Sequence, residues 1–212
     1  MPAGPSADPR IRVFDRIAWI YGLFFHFQRL AFRRSFGALS CRLGLQRGAR
    51  VLDVGCGTGA LASVLAQQGY EVRALDASAR MVAVAGRLLA RAGRGAVRLS
   101  RADALEGLPF PDRHFDLVLA THVVHGLGPR QRGRFYRELR RVARGPVLFY
   151  DYSPIRDCGP GLVMRALEAL ERSDYRRFRR SGVSELREAF PEVGVFGGLK
   201  GSAWYLCRQG MA

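Results

Sequence analysis

The sequence predicts an α/β protein built on a largely parallel sheet, and three observations carry that prediction. Short apolar runs of strand length alternate with longer segments of helical spacing between Val51 and Tyr150. Glycines punctuate the joins, most densely at Gly55-Cys56-Gly57-Thr58-Gly59. The last stretch breaks this rhythm and reads as two strands in succession. Strands that alternate with helices need right-handed crossovers, and those pair strands in parallel.

The elements follow in order. Residues 1–10 read as a loose tail. Between Phe14 and Leu39, apolar residues at roughly helical spacing predict one or two helices with two apolar faces. Val51–Val54 is a buried strand, and Gly59–Gln68 a helix stopped by Gly69. Val72–Leu75 is the second strand and Ala79–Ala92 the second helix, closed by Gly93. Val97–Ser100 is the third strand. A turn with Pro109, Pro111 and Asp112 leads to the fourth, Leu117–Ala120. Arg130–Val142 is a helix and Val147–Tyr150 the fifth strand. Residues 152–160, with Pro154, Gly159 and Pro160, form a loop. Leu162–Glu171 is a helix, and Val183–Ala189 a short one ended by Pro191. Val193–Phe196 and Ala203–Cys207 close the chain as a hairpin around Gly197, Gly198 and Gly201.

The 212 residues suffice for one domain with a sizeable core. We expect residues 1–40 to form a tail and helical cap, and 41–212 a single domain. With 48% hydrophobic and 25% charged residues the composition is that of a globular protein and excludes a disordered one. The longest nearly apolar run, Ile17–Phe27, is too short to span a bilayer. Met1–Arg10 has no hydrophobic signal core. The four cysteines, Cys41, Cys56, Cys158 and Cys207, lie far apart without a CxxC pair, so no metal site is expected. A sparse set fits a reducing compartment, and a cytoplasmic protein is expected.

The net charge is +16, nearly all of it arginine; Lys200 is the only lysine. Such charge attracts nucleic acid or anionic lipid. The codon usage of a GC-rich genome produces the same spread of arginines. Arg176-Arg177-Phe178-Arg179-Arg180 is a local cluster that codon usage explains less well.

The sharpest motif is Leu52-Asp53-Val54-Gly55-Cys56-Gly57-Thr58-Gly59-Ala60. Glycines at a strand-to-helix turn let the backbone approach a ligand closely, and the helix that follows offers free N–H groups. Gly55, Gly57 and Ala60 also satisfy a dinucleotide-binding spacing. Asp53 separates the two possibilities. A dinucleotide brings a diphosphate to this turn, which a neighbouring carboxylate repels. S-adenosylmethionine brings an ammonium and a sulfonium, which a carboxylate attracts. Asp76 ends the second strand, where an acidic residue accepts hydrogen bonds from ribose hydroxyls; a helix N-cap is the plainer role. Asp103 follows the third strand on the same sheet edge, with an adenine amino group or a simple turn as its two possible partners.

Taken together these segments resemble the class I S-adenosylmethionine-dependent methyltransferases. The resemblance rests on Val51 to Ala60, Asp76-Ala77-Ser78 with Met81, Asp103-Ala104, and Leu108-Pro109-Phe110-Pro111-Asp112-Arg113-His114-Phe115-Asp116-Leu117-Val118. It implies a Rossmann-like three-layer αβα sandwich whose seven-stranded, mostly parallel sheet has the order 3-2-1-4-5-7-6 and an antiparallel C-terminal hairpin. It further implies S-adenosylmethionine as cofactor and S-adenosylhomocysteine as product. Asp53, Gly55, Cys56, Gly57 and Gly59 would line the methionine end, Asp76 and Ala77 the ribose, and Met81, Asp103 and Ala104 the adenine. Val13-Phe14-Asp15-Arg16-Ile17-Ala18-Trp19-Ile20-Tyr21 is similar to the N-terminal helix of the ubiquinone and menaquinone biosynthesis methyltransferases. There the equivalent of Tyr21 closes over the cofactor; an ordinary core aromatic is the alternative. The C-terminal part does not carry that subfamily's pattern.

Methyl transfer is an in-line displacement at an activated sulfonium, so the protein mainly positions the acceptor and excludes water. An acceptor hydroxyl needs a base. After the fourth strand stand Thr121, which by topology faces the methyl group, and His122, a candidate base or acceptor contact. His125 reads as structural. Tyr150, Asp151 and Tyr152 border the same expected pocket. No (Asn/Asp)-Pro-Pro-(Tyr/Phe) follows the fourth strand, which argues against methylation of adenine or glutamine amino groups, and no Pro-Cys motif supports covalent attack on cytosine. The leading expectation is a small-molecule or lipid-like acceptor such as a quinol or phenol. RNA methylation on the basic surface is one alternative. The other is a non-catalytic binding module that touches an anionic membrane through residues 14–34.

Overall fold

The computed structural model describes residues 8–92, 97–154, 175–199 and 201–210. Seven strands form one sheet in the order β3-β2-β1-β4-β5-β7-β6, with helices around it. The chain falls into two compact units, Met1–Glu106 and Gly107–Ala212.

The first unit opens with two helices, α1 (Pro9–Leu23) and α2 (Phe25–Ser40). The expected tail ends early. Asp8 caps α1 by accepting the Arg10 N–H at 2.8 Å, and Pro9 sits at a position that needs no donor. The helices break at Phe24, whose N–H bonds back to Tyr21 and Gly22. Then follow β1 (Arg50–Val54), α3 (Ala60–Gln67), β2 (Glu71–Asp76), α4 (Ala79–Arg91) and β3 (Val97–Arg101). β1 pairs in parallel with β2, Asp53 opposite Ala74, and β2 with β3, Asp76 opposite Arg101. Val51, Leu52, Ala74 and Leu75 are fully buried, as a strand covered on both faces requires. Helix α1 packs on α4 through Ala18, Met81 and Val84, and α2 packs on α3.

The second unit begins its regular structure with β4 (Leu117–Thr121) and a one-turn 3-10 helix, Val124–Gly126. It continues with α5 (Pro129–Val142), β5 (Val147–Tyr152), α6 (Tyr175–Ala189), β6 (Glu192–Gly197) and β7 (Ser202–Arg208). β4 and β5 are parallel; β7 runs antiparallel to both β5 and β6. Helix α6 is two turns longer than the short helix expected at Val183. The expected helix Leu162–Glu171 and most of the expected loop 152–160 lie outside the described residues. At Gly145 the carbonyl of Asp116 approaches so closely that no side chain fits there. No helix among the described residues is long and apolar enough to cross a membrane.

Candidate functional site

The glycine turn after β1 is wound by three residues in the left-handed region: Gly55 (φ 72°), Gly57 (φ 54°) and Gly59 (φ 76°). Only glycine occupies three such positions in five residues without strain. The N–H groups of Gly55 and Cys56 both donate to the Leu75 carbonyl at 2.8 Å, which ties the turn to β2. The Gly57 N–H donates to Asp76 Oδ2 at 2.9 Å, and the Ser78 N–H to Asp76 Oδ1 at 2.8 Å. Beside Gly57 nothing lies within 4 Å of where a Cβ would stand, so the turn borders open space.

Asp53 is wholly buried at the end of β1, and neither of its oxygens has a hydrogen-bond partner among the described residues. Burial, reinforced by the neighbouring Asp76 charge, pushes its pKa up to about 7, with the Ala62 N–H, too poorly placed to count as a hydrogen bond, acting the other way. Burial likewise raises Asp76 to about 6, against the N–H groups of Ser78 and Gly57. A buried carboxylate without partners is costly, and a cation placed beside it relieves the cost. The orphaned oxygens of Asp53 and the open space at Gly57 therefore fit a cationic ligand and do not fit a diphosphate.

Both N-terminal helices are stitched to this turn region by polar contacts that the sequence reading missed. Buried Asp15 of α1 accepts the Ser78 hydroxyl at 2.5 Å, while Ser78 Oγ accepts the Met81 N–H at 3.1 Å and so caps α4. The Arg10 guanidinium bridges Asp8, at 3.0 Å, and Asp103, at 2.6 Å. The Leu105 N–H takes the other oxygen of Asp103 at 2.9 Å. Thr58 donates to Gln28 of α2 at 3.0 Å. One signal was available: Asp15 is the only carboxylate between Asp8 and Asp53.

The structure thus gathers Asp53, Gly55, Cys56, Gly57, Gly59 and Asp76 around the ends of β1 and β2. Ala77, whose carbonyl accepts from Arg101 Nε at 3.1 Å, follows directly. Met81 is buried in the packing of α1 on α4, and Tyr21 lies half-buried against the same cluster. Asp103 and buried Ala104 follow β3, with Asp103 engaged by Arg10.

Thr121 and His122 stand in the second unit, at and just past the end of β4. His122 adopts φ 53°, an uncommon conformation for a residue with a Cβ, held by its N–H donating to the Tyr150 carbonyl at 2.8 Å. Its ring meets those of Tyr150, Tyr152 and His125 edge-on, at 5.2, 5.6 and 6.0 Å. His125 is buried, with Nδ1 2.8 Å from Asp151 Oδ1. That contact places the Nδ1 proton in the bond to Asp151. Asp151 also accepts the N–H groups of Val124 at 3.1 Å, His125 at 3.2 Å and Tyr152 at 2.8 Å. Burial works against its charge, yet His125, His122 and the Tyr152 N–H hold its pKa below the usual carboxylate value. The ligand-type atoms of His122, His125 and Asp151 lie within 4.8 Å of one another, the spacing of a metal site. The four hydrogen bonds to Asp151, however, use the four lone-pair directions of a carboxylate.

The arginine cluster is divided by the fold. Phe178 is buried, and Arg179 Nε donates to the Ser153 carbonyl at 2.9 Å, while Arg176 and Arg180 face outward.

A nucleotide-type turn, a buried orphan carboxylate and acidic residues at successive strand ends are the features that the resemblance to class I S-adenosylmethionine-dependent methyltransferases implies. Comparison with known proteins agrees. Residues 51–145 match the family described as methyltransferase domain. The chain is 41% identical over 119 residues to a malonyl-[acyl-carrier protein] O-methyltransferase of Enterobacter lignolyticus, covering 56% of this chain and 44% of that one. It is 37% identical over 160 residues to the ubiquinone/menaquinone biosynthesis C-methyltransferase UbiE of Azotobacter vinelandii, covering 72% and 62%. The chain therefore spans roughly half the length of these curated relatives. In fold it is similar to a SAM-dependent methyltransferase from Aquifex aeolicus, with a TM-score of 0.62 and 24% identity over 81% of this chain and 87% of that one. Residues 51–145 thus carry a methyltransferase domain, and the chain is similar in sequence and fold to the S-adenosylmethionine-dependent methyltransferases.

Proposed function

We propose that this chain transfers a methyl group from S-adenosylmethionine to a small or lipid-like acceptor, such as a quinol or phenol. The observation that carries the reading is Asp53, a buried carboxylate whose oxygens have no hydrogen-bond partner among the described residues, a cost that a nearby cation would relieve. When bound, the cofactor supplies a methyl group already activated on sulfur. Asp53 and the turn Gly55–Gly59 receive its methionine end. Asp76, held by the Gly57 and Ser78 N–H groups, keeps lone pairs for ribose hydroxyls. Asp103 and Ala104 serve the adenine, and Met81, with Tyr21 packed in the same cluster, backs them. In the second unit His122, at its constrained backbone position beside Thr121, contacts the acceptor and takes its proton. Asp151 fixes His125, whose ring supports His122, and the rings of Tyr150 and Tyr152 favour a flat apolar acceptor. The two relatives, an O-methyltransferase of a malonyl carrier protein and a C-methyltransferase of ubiquinone and menaquinone biosynthesis, fit an oxygen or carbon acceptor. RNA methylation loses ground because Arg179 of the arginine cluster is spent on the Ser153 carbonyl and Phe178 at its centre is buried.

Calorimetric titration of the purified protein with S-adenosylmethionine tests the cofactor site. Saturable binding is expected, weakened about ten- to a hundredfold in Asp76→Ala, the loss of hydrogen bonds to a charged group. Absence of saturable binding sinks the reading. With a hydroquinone acceptor, His122→Asn is expected to lower kcat by about 10²-fold or more and to abolish the acidic limb of its pH profile. An unchanged profile removes His122 from the chemistry.

A further inference from the structure

The first unit carries an apolar surface that its own fold leaves uncovered. Five of the seven exposed large apolar side chains among the described residues lie within twelve residues at the junction of α1 and α2: Trp19, Leu23, Phe24, Phe27 and Leu30. They are not marginal. Trp19 is 66% exposed, and Leu23 and Phe27 are each 73% exposed. The same helices bury a separate set, Ile11, Ile17 and Ala18 in α1 and Phe25, Phe36 and Leu39 in α2. This resolves the two apolar faces read from the sequence: one packs against α3 and α4, and the other faces solvent.

The exposed face has a charge pattern that selects its partner. In α1 the exposed positions run Arg12, Arg16, Trp19, Leu23, at spacings of four, three and four, which is one helix face. In α2 they run Phe27, Leu30, Arg34, at spacings of three and four. Arginines thus flank the apolar stripe on both helices. From Arg16 to Leu52 the chain has seven arginines and no carboxylate. An acidic residue anywhere on this stretch would repel an anionic surface, and none is present. Aromatic and leucine side chains bordered by arginines, whose stems lie along apolar surface while their heads reach phosphate, match the interface of an anionic bilayer.

We propose that the α1–α2 corner docks this protein on an anionic lipid surface, with Trp19, Leu23, Phe24, Phe27 and Leu30 entering the headgroup boundary and Arg12, Arg16 and Arg34 pairing with lipid phosphates. The inference stands apart from the acceptor reading, since it needs neither cofactor nor acceptor to be observed.

Flotation with vesicles tests it, using phosphatidylglycerol–phosphatidylcholine mixtures against phosphatidylcholine alone. The full chain is expected to float with the anionic vesicles and not with the zwitterionic ones, and to be released by raised salt. Leu23→Glu/Phe27→Glu is expected to weaken binding by about tenfold or more, from the lost apolar burial. Its calorimetric affinity for S-adenosylmethionine should be unchanged, which also verifies that the variant folds. A chain that binds cofactor but ignores anionic vesicles overturns the proposal while leaving the methyltransferase reading intact. So does a double variant that floats as well as the parent. A parent chain that dimerises in sedimentation, or that captures an acidic carrier protein or RNA through this face instead of vesicles, also overturns it.

Discussion

Asp53 combines two properties that pull in opposite directions. As a buried carboxylate with a pKa of about 7 it is half protonated near neutral pH, yet its use to a cationic ligand depends on being charged. Binding a cation therefore expels its proton. Cofactor affinity is expected to rise with pH up to about 7 and to level off above it. Titrations in two buffers of different ionisation enthalpy count the released proton, and Asp53→Asn should show neither the release nor the rise. The same shift sets a stability trend in the unliganded protein. The folded state holds the proton more tightly than the unfolded chain, whose aspartate titrates near 4. Stability therefore falls as pH rises from about 4 to about 7 and is flat above. Asp53→Asn should melt higher than the parent at pH 8, by about 2–4 °C for each ~1 kcal/mol of relieved penalty, with the gain gone near pH 4. A variant that melts lower at pH 8 contradicts the assignment. Asp53, Asp76 and Asp103 were legible because strand ends can be read from a local pattern. Arg10, Asp15 and Gln28 were not, since their partners lie 93, 63 and 30 residues away; only Asp15, a lone carboxylate in its stretch, carries any local mark.

At the scale of elements, existence and type were readable, and boundaries failed where polar residues hid the period. Helix α6 was cut short in the sequence reading because Arg176, Arg177, Arg179 and Arg180 surround its first inward residue. The structure shows buried positions at Phe178, Gly182 and Leu186, a spacing of four throughout. The element that holds α6 in place was equally hidden. Arg132 of α5 is buried, gives two hydrogen bonds to Glu185 of α6 at 2.5 and 2.8 Å and a third to the Leu127 carbonyl at 2.6 Å, and lies over the Phe178 ring. Arg132 is buried, whereas Glu185 is partly exposed. Arg132→Ala, which removes three hydrogen bonds and the packing on Phe178, is expected to destabilise the protein by about 2–3 kcal/mol, read by chemical denaturation. Glu185→Gln, which keeps an acceptor for the guanidinium, should cost less. A Glu185→Gln cost equal to that of Arg132→Ala would mean that the charge, and not the retained acceptor, carries the contact, and no cost at all would mean that charge pairing contributes nothing at this site.

For the whole molecule, the strand order β3-β2-β1-β4-β5-β7-β6 was available only through family resemblance, because spacing alone gives alternation and not adjacency. The terminal hairpin was different: two strands without an intervening helix cannot be a crossover, and the antiparallel pairing of β6 with β7 follows. The charge of +16 is the other property at this scale. Several arginines are structural, among them Arg10, Arg132, Arg140, Arg141 and Arg179, yet the excess over carboxylates remains and repels itself. Screening should relieve that repulsion, since the Debye length falls to about 8 Å at physiological salt. The melting temperature is expected to rise as salt is added from a low starting point; a fall would place the surface ion pairs above the self-repulsion.

The protein has two tryptophans, and the fold puts them in opposite surroundings. Trp19 is two-thirds exposed on α1, while Trp204 on β7 is buried with its ring 4.4 Å from that of Tyr150. Their fluorescence separates without any label. A water-borne quencher such as acrylamide reaches the first indole and spares the second, so the emission that survives quenching reports the interior beside β5, and the emission that is lost reports whatever touches the N-terminal helices.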